Sequence, residues 1–384
     1  MRKCIIIPDS FKGSLDSIEI CSIAAEKVQK IFPDCETVTL PVADGGEGTV
    51  SCFLHAMDGE LVNLIVKGPY MDSVNGFYGR FDDLAVVEMA AAASLPMVEN
   101  HMDPSKTTTY GVGELILHAV EHGAKRVILG MGGSCTNDGG CGCAAALGVK
   151  FLDRQGNEFI PVGGTLDRIS CIDISGAKKL LQGVELTAMC DVENPMYGPT
   201  GAAYVFGPQK GADKTMVQEL DRQLEALDVV IQSSLKIPSV ALLPGSGAAG
   251  ALGAGVVAFL GAKLRSGIET VLDVLHFDEK IQDADAVFTG EGRIDGQSLR
   301  GKAVIGVSKR AVKQGVPVYA IVGDVEDDAM EAYNMGVTAI FSINRMAVPF
   351  SIAKTRSRQD FSTAFEDILR LIRAVEQRKS CRNS

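Results

Sequence analysis

Apolar runs that end in glycine-bearing polar loops and resume as helical repeats recur at both ends of the chain, and this alternation restricts the fold more than any other feature. "KCIII" reads as a strand and "PDSFKGS" as the loop after it. Leu15, Ile18, Cys21, Ala25 and Val28 then recur at helical spacing, with Ser14 placed to cap the helix. "ETVTLPVA" is a second strand, followed by "DGGEG" and a helix from about Thr49. Near the other end "ADAVF", "VPVYAIV" and "VTAIFSI" are strands, and the first two run into "TGEGRIDGQS" and "GDVEDD". Strands that alternate with helices make a mainly parallel sheet wrapped by helices, so the two ends read as halves of one sheet. The middle carries its own strands, helices and hairpins, the last at "VNGFYGRF" and "VKFLDRQGNEF". The expected architecture is α/β with two domains. Residues 1–66 and 285–384 form a discontinuous Rossmann-like parallel-sheet domain, residues 67–284 an inserted mixed α/β domain, and the active site lies in the cleft between them.

Composition narrows what such a fold can serve. The 384 residues are 46% hydrophobic and 22% charged, enough to bury a large core. Against 48 Asp+Glu stand 37 Lys+Arg, a net charge of −11, which argues against nucleic acid and anionic membrane as partners and for a small-molecule ligand. The opening "MRKCIIIPDS" has too few apolar residues before Pro8 for a signal peptide or a span, so a cytoplasmic protein is expected. Ten cysteines without a regular framework fit reduced thiols. Cys135, Cys141 and Cys143 lack a CxxC pair and a nearby histidine, and read as packing residues. A homo-oligomer is compatible with all of this.

In open parallel sheets ligands bind beyond the carboxyl ends of the strands. The terminal half-sheets place four polar loops there, at residues 9–12, 44–47, 289–295 and 323–324. The inserted domain adds residues 132–138, 190–195, 206–211 and 245–250. Among these, "GMGGSCTNDGG" follows the apolar run "RVIL", and such a loop either cradles a phosphate at the start of a helix or makes a tight turn. "GSGAAG" satisfies GxGxxG, but the acidic residue at dinucleotide spacing, Glu269, falls in "SGIETVLDVL", which looks helical; tight helix packing competes equally with phosphate contact. "GQSLRGKA" nearly spells a Walker loop, yet Ala303 stands where a hydroxyl should reach magnesium. "GGSCT" misses the GxSxG elbow, and none of the five histidines lies in these loops, which removes the usual base of a serine hydrolase. Carboxylates, a few cations and many backbone N–H groups remain, the inventory of phosphoryl transfer.

"PDSFKGSL", "PVADGGEGT", "GVGELI", "GGSCTNDGG", "CDVENP", "FGPQKGA", "GSGAAGALG" and "TGEGRIDGQSLRGK", in this order, resemble the bacterial type I glycerate kinases over nearly the whole chain. The resemblance implies transfer of the ATP γ-phosphate, with Mg2+, to D-glycerate, at the 2-hydroxyl to give 2-phosphoglycerate. Cys135 and Cys141 depart from the alanine more usual in the family, and Ala251 from glycine. On this footing Gly132, Gly133, Ser134, Thr136, Gly245 and Gly247 are the expected phosphate or nucleotide contacts, and Ser10, Lys12 and Arg293 the substrate contacts. Lys12 and Arg293 bring charge to the reaction. Asp44 or Asp295 is the expected base, with Asp191 and Asp138 at the metal, or Asp138 capping its helix. Two other readings are a non-catalytic glycerate or nucleotide sensor on the same fold, and an NAD-dependent hydroxy-acid dehydrogenase that rests on "GSGAAG" alone.

Overall fold

The computed structural model describes residues 1–11, 13–296 and 298–383, with side chains as far as Arg378. Its principal strands are β1 (Lys3–Pro8), β2 (Glu36–Thr39), β3 (Glu60–Lys67), β4 (Ser73–Phe81), β5 (Leu84–Glu88), β6 (Arg126–Gly130), β7 (Glu185–Met189), β8 (Lys263–Arg265), β9 (Ala286–Gly290), β10 (Val318–Val322) and β11 (Ala339–Ser342). The chain divides into two units, one of Met1–Asp44, Ser51–Met57 and Gly267–Ser384, the other of Gly45–Val50 and Asp58–Ser266.

In the first unit the strands stand in the order β11-β10-β9-β1-β2, all parallel. Both ends of the chain therefore meet in one sheet, as their alternation implies. β1 from Cys4 on and the whole of β9 are buried because both of their faces are covered. Cys4, Ile6 and Phe288 pack with Ile20, Val28, Phe361 and Phe365, from the helices Ser17–Ile31 and Phe350–Asn383. On the other face Ala320 and Val322 pack with Val304 and Ile305 of the helix Ala303–Ala311. Asp16, not Ser14, caps the first helix by accepting from Glu19 N at 2.7 Å; the Ser14 hydroxyl instead closes a turn onto Phe11 O.

The second unit has the order β8-β7-β6-β5-β4-β3, with β5 to β8 parallel and β4 antiparallel to both neighbours. The hairpin read at "VKFLDRQGNEF" is present, Lys150–Leu152 pairing with Glu158–Phe159. The division falls before 66/67 on one side and before 284/285 on the other. β3 pairs with β4 along its whole length, from Glu60↔Arg80 to Lys67↔Ser73, which ties residues 60–66 to the middle of the chain. Arg310, on the helix Ala303–Ala311, donates to Glu269 and Asp273 on the helix Gly267–Val274, which ties that segment to the end. Among the described residues no helix is long and apolar enough to cross a membrane.

Candidate active site

The first unit builds outward from β1 to β2 and, starting again at β9, outward in the opposite direction. The order reverses between β1 and β9, where an open parallel sheet leaves a crevice at its carboxyl edge. A cavity of about 580 Å³ opens there. Asp9 and Ser10 line it from the loop after β1, Asp44 from beyond β2, Glu291, Arg293 and Asp295 from the loop after β9, Asp324 from the loop after β10, and Asn344 from the loop after β11. Lys302 and Lys354 add cations, and Phe11, Ile343, Val348 and Phe350 give one apolar side.

Short backbone links hold these loops in place. Asp9 N donates to Gly290 O at 2.8 Å, and Asp9 Oδ1 accepts from Ser10 N at 2.6 Å. Arg293–Ile294 pairs in parallel with Asp324–Val325, which fixes the loops after β9 and β10 against each other. Arg293 donates to Glu326 at 2.8 Å and approaches Asp324 at 3.5 Å, yet its side chain stays 55% exposed. Asp295 Oδ1 accepts from Ser298 N at 3.0 Å, closing the turn that leads to Lys302 at the start of the helix Ala303–Ala311. Glu291 is 5% exposed, and its Oε1 has no hydrogen-bond partner. Burial pushes its carboxyl up to about 7, with Asp9 and Asp295 raising it further while Ser298 and Lys302 pull it down.

Ser10, Asp44, Arg293 and Asp295 are thus brought to one cavity, as their loops imply, while Lys12 lies outside the described residues. Glu291 and Lys302 were missed. Both sit inside motifs already singled out, "TGEGRIDGQSLRGK", but a glutamate between glycines reads as a solvated loop acid, and a lysine in a failed Walker match draws no notice.

In the second unit "GMGGSCTNDGG" packs closely at its start. A Cβ on Gly130 would stand 2.5 Å from Gly45 O, and one on Gly132 would stand 2.5 Å from Gly46 Cα; Gly132 N donates to Gly45 O at 2.9 Å. Gly133, at φ +77°, is exposed at the loop tip, and Ser134 lies just beneath. Thr136 is fully enclosed, so a direct phosphate contact from its side chain does not fit; its carbonyl accepts from Lys210 at 2.6 Å. Asp138 is also enclosed and accepts from Thr109 N and Oγ1, Gly140 N and Gly142 N at 2.7–3.2 Å. Those bonds tie the start of the helix Cys141–Ala146, whose N-cap is Gly140, to Thr109 at the start of the helix Tyr110–Glu121. Gly245 and Gly247 are buried: a Cβ would meet Cys190 Sγ at 2.7 Å and Pro195 O at 2.2 Å, and Gly247 N is taken by Asn194 O. These two glycines of the apparent dinucleotide fingerprint thus permit close packing. Lys210, 2% exposed, is a further residue the sequence reading missed.

Among the described residues no group of three His, Cys, Asp or Glu forms a metal cage. Magnesium seldom needs one, since it is commonly held by one or two carboxylates together with substrate phosphates. Asp191, half-buried just after β7, fits such a part.

A Rossmann-like sheet whose switch point opens into a cavity of mixed cations and carboxylates defines an α/β enzyme for a small polar molecule. The chain belongs to the glycerate kinase family, whose model matches residues 4–373, and it is a kinase. It is 46% identical to a glycerate kinase of Bacillus cereus over 89% of this chain and 90% of that protein. It shares 46% identity with the glycerate 2-kinase of Escherichia coli K12, again over 89% and 90%. The solved structure of a proposed glycerate kinase 2 from Salmonella typhimurium LT2 matches with a TM-score of 0.87 at 41% identity, covering 98% of this chain and 99% of that one.

Proposed function

We propose that the chain transfers the γ-phosphate of ATP to D-glycerate at the 2-hydroxyl, giving 2-phospho-D-glycerate and ADP, with Mg2+ as the accompanying ion. The observation that carries the reading is the switch-point cavity, lined by Arg293 and Lys302 together with Asp9, Ser10, Asp44, Glu291 and Asp295. A hydroxy acid leaving water needs a cation for its carboxylate and acceptors for its hydroxyls. Arg293 offers a planar fork suited to a carboxylate, and Lys302 a point charge. Ser10 and the carboxylates orient the hydroxyls. Proton acceptance at the attacking oxygen falls to one carboxylate of this wall, which includes the expected Asp44 and Asp295.

For the donor, Gly133 and Ser134 are the remaining candidates of the glycine-rich loop, because they stand at its tip or just beneath it. Asp191 is the carboxylate for Mg2+, which when bound neutralises charge on the phosphate oxygens. The test is incubation with ATP, Mg2+ and a panel of short hydroxy acids. ADP release should depend on D-glycerate, and phosphorus NMR of the product should show the ester on carbon 2. An ester on carbon 3 would overturn the regiochemistry, and absence of ADP release would favour a sensor.

A further inference from the structure

We propose that Glu291 accepts the proton of the acceptor hydroxyl. The inference rests on the phosphoryl transfer proposed above and assigns one atom within it. As the hydroxyl oxygen forms its bond to the γ-phosphorus, its proton passes to Glu291 Oε1. The bond from that phosphorus to the bridging oxygen breaks, and the nucleoside diphosphate leaves with the electron pair.

Three observations favour Glu291. It follows β9 directly, beside the sheet's switch point, and lines the cavity. It is nineteen-twentieths buried with Oε1 unpartnered, a state that is costly in a folded chain unless a ligand supplies the missing bond. Asp295, by contrast, spends Oδ1 on Ser298 N and its hydroxyl, and Asp9 spends Oδ1 on Ser10 N. The groups that face Glu291 are Asp9 from the loop after β1, Asp295 and Ser298 from its own loop, and Lys302 from the helix start, while Arg293 is turned toward Glu326 and Asp324. Burial raises this carboxyl toward neutrality, Asp9 and Asp295 add to the rise and Lys302 opposes it, which suits a group that takes a proton near neutral pH.

The experiment compares wild type, Glu291→Gln and Glu291→Asp for glycerate-dependent ADP release across pH 5–9, with melting temperature and binding of a non-hydrolysable ATP analogue as controls. Wild-type kcat/KM should rise with pH through about 7. Glu291→Gln should bind the analogue normally, lose roughly 10²- to 10⁴-fold in kcat, and show no such rise. Glu291→Asp should keep a rise at part of the rate. Glu291→Gln turning over within about threefold of wild type, with the rise intact, overturns the role while the function stands. If wild type itself releases no ADP with any hydroxy acid, the reading of function fails and the role with it. Should Glu291→Gln not fold, Lys302→Met decides: removing the cation must move the rise to higher pH, and an unmoved rise overturns the proposal.

Discussion

The ammonium of Lys210 donates to the carbonyl of Thr136 at 2.6 Å, and at 3.0 Å to the hydroxyl of Ser134, so a buried cation braces the underside of the glycine-rich loop after β6. Burial presses its pKa from 10.5 down to about 8, against the pull of Cys135 and Asp138. Between about pH 8 and 10.5 the unfolded chain therefore binds more protons than the folded one, and stability rises with pH across that window. Chemical denaturation of Lys210→Met should lack this rise, which amounts to at most roughly 3 kcal/mol in the wild type. Parallel curves for the two proteins would mean that Lys210 is not held at a lowered pKa.

Asp138 and Asp191 should separate cleanly. Asp138→Ala strands the N–H groups of Thr109, Gly140 and Gly142 and should cost on the order of 3 kcal/mol in stability. The magnesium requirement of its residual activity should be unchanged. Asp191→Asn should raise the magnesium concentration for half-maximal activity with little loss of stability. If it instead loses kcat at unchanged magnesium dependence, Asp191 serves the proton or the substrate.

Within the same loop, Gly132→Ala drives a methyl into the Gly46 backbone and should destabilise the protein by roughly 1–3 kcal/mol. Gly133→Ala meets only the Ala90 side chain at 3.5 Å and bears mainly the strain of its positive φ, about 1 kcal/mol. A phosphate contact at the tip predicts a raised ATP KM for Gly133→Ala. An unchanged KM would make both glycines purely structural.

Arg293→Ala removes an exposed cation whose pairs with Glu326 and Asp324 contribute about 0–1 kcal/mol to stability. Its melting temperature should barely move. If the guanidinium holds the substrate carboxylate, glycerate KM should rise roughly ten- to hundredfold, the worth of one charge-assisted hydrogen bond. Steady-state kinetics with unchanged KM and kcat would leave Arg293 as a surface ion pair.

The architecture was legible because burial on both faces writes itself into β1, β9 and β10 as unbroken apolar runs, and the polar loops after them could belong only to the carboxyl edge. What those loops do was less legible. A glycine that lets a backbone approach a phosphate and one that lets it approach another backbone look alike in a sequence, and Gly132 and Gly247 each stand against another backbone. Glu291 and Lys210 escaped for a related reason: each is a charged residue in a connecting segment, and distant parts of the chain, Asp9 for the one and Ser134 and Thr136 for the other, meet it only in the fold. The boundary of the middle unit moved because the period-two pattern of "ELVNLIVK" signals a strand but not its partner.

Glu88 closes β5 and is almost wholly buried, with its carboxylate oxygens accepting from Gly48 N at 3.2 Å and Val50 N at 2.6 Å. Those donors come from a six-residue detour, Gly45–Val50, while the residues on either side of it belong to the other unit. The middle of this chain is therefore not a cassette. A fragment cut at Asp58 and Ser266 would carry the six strands of its sheet but leave a shielded acid facing two missing amides. Any swap of this module between relatives has to carry the detour with it.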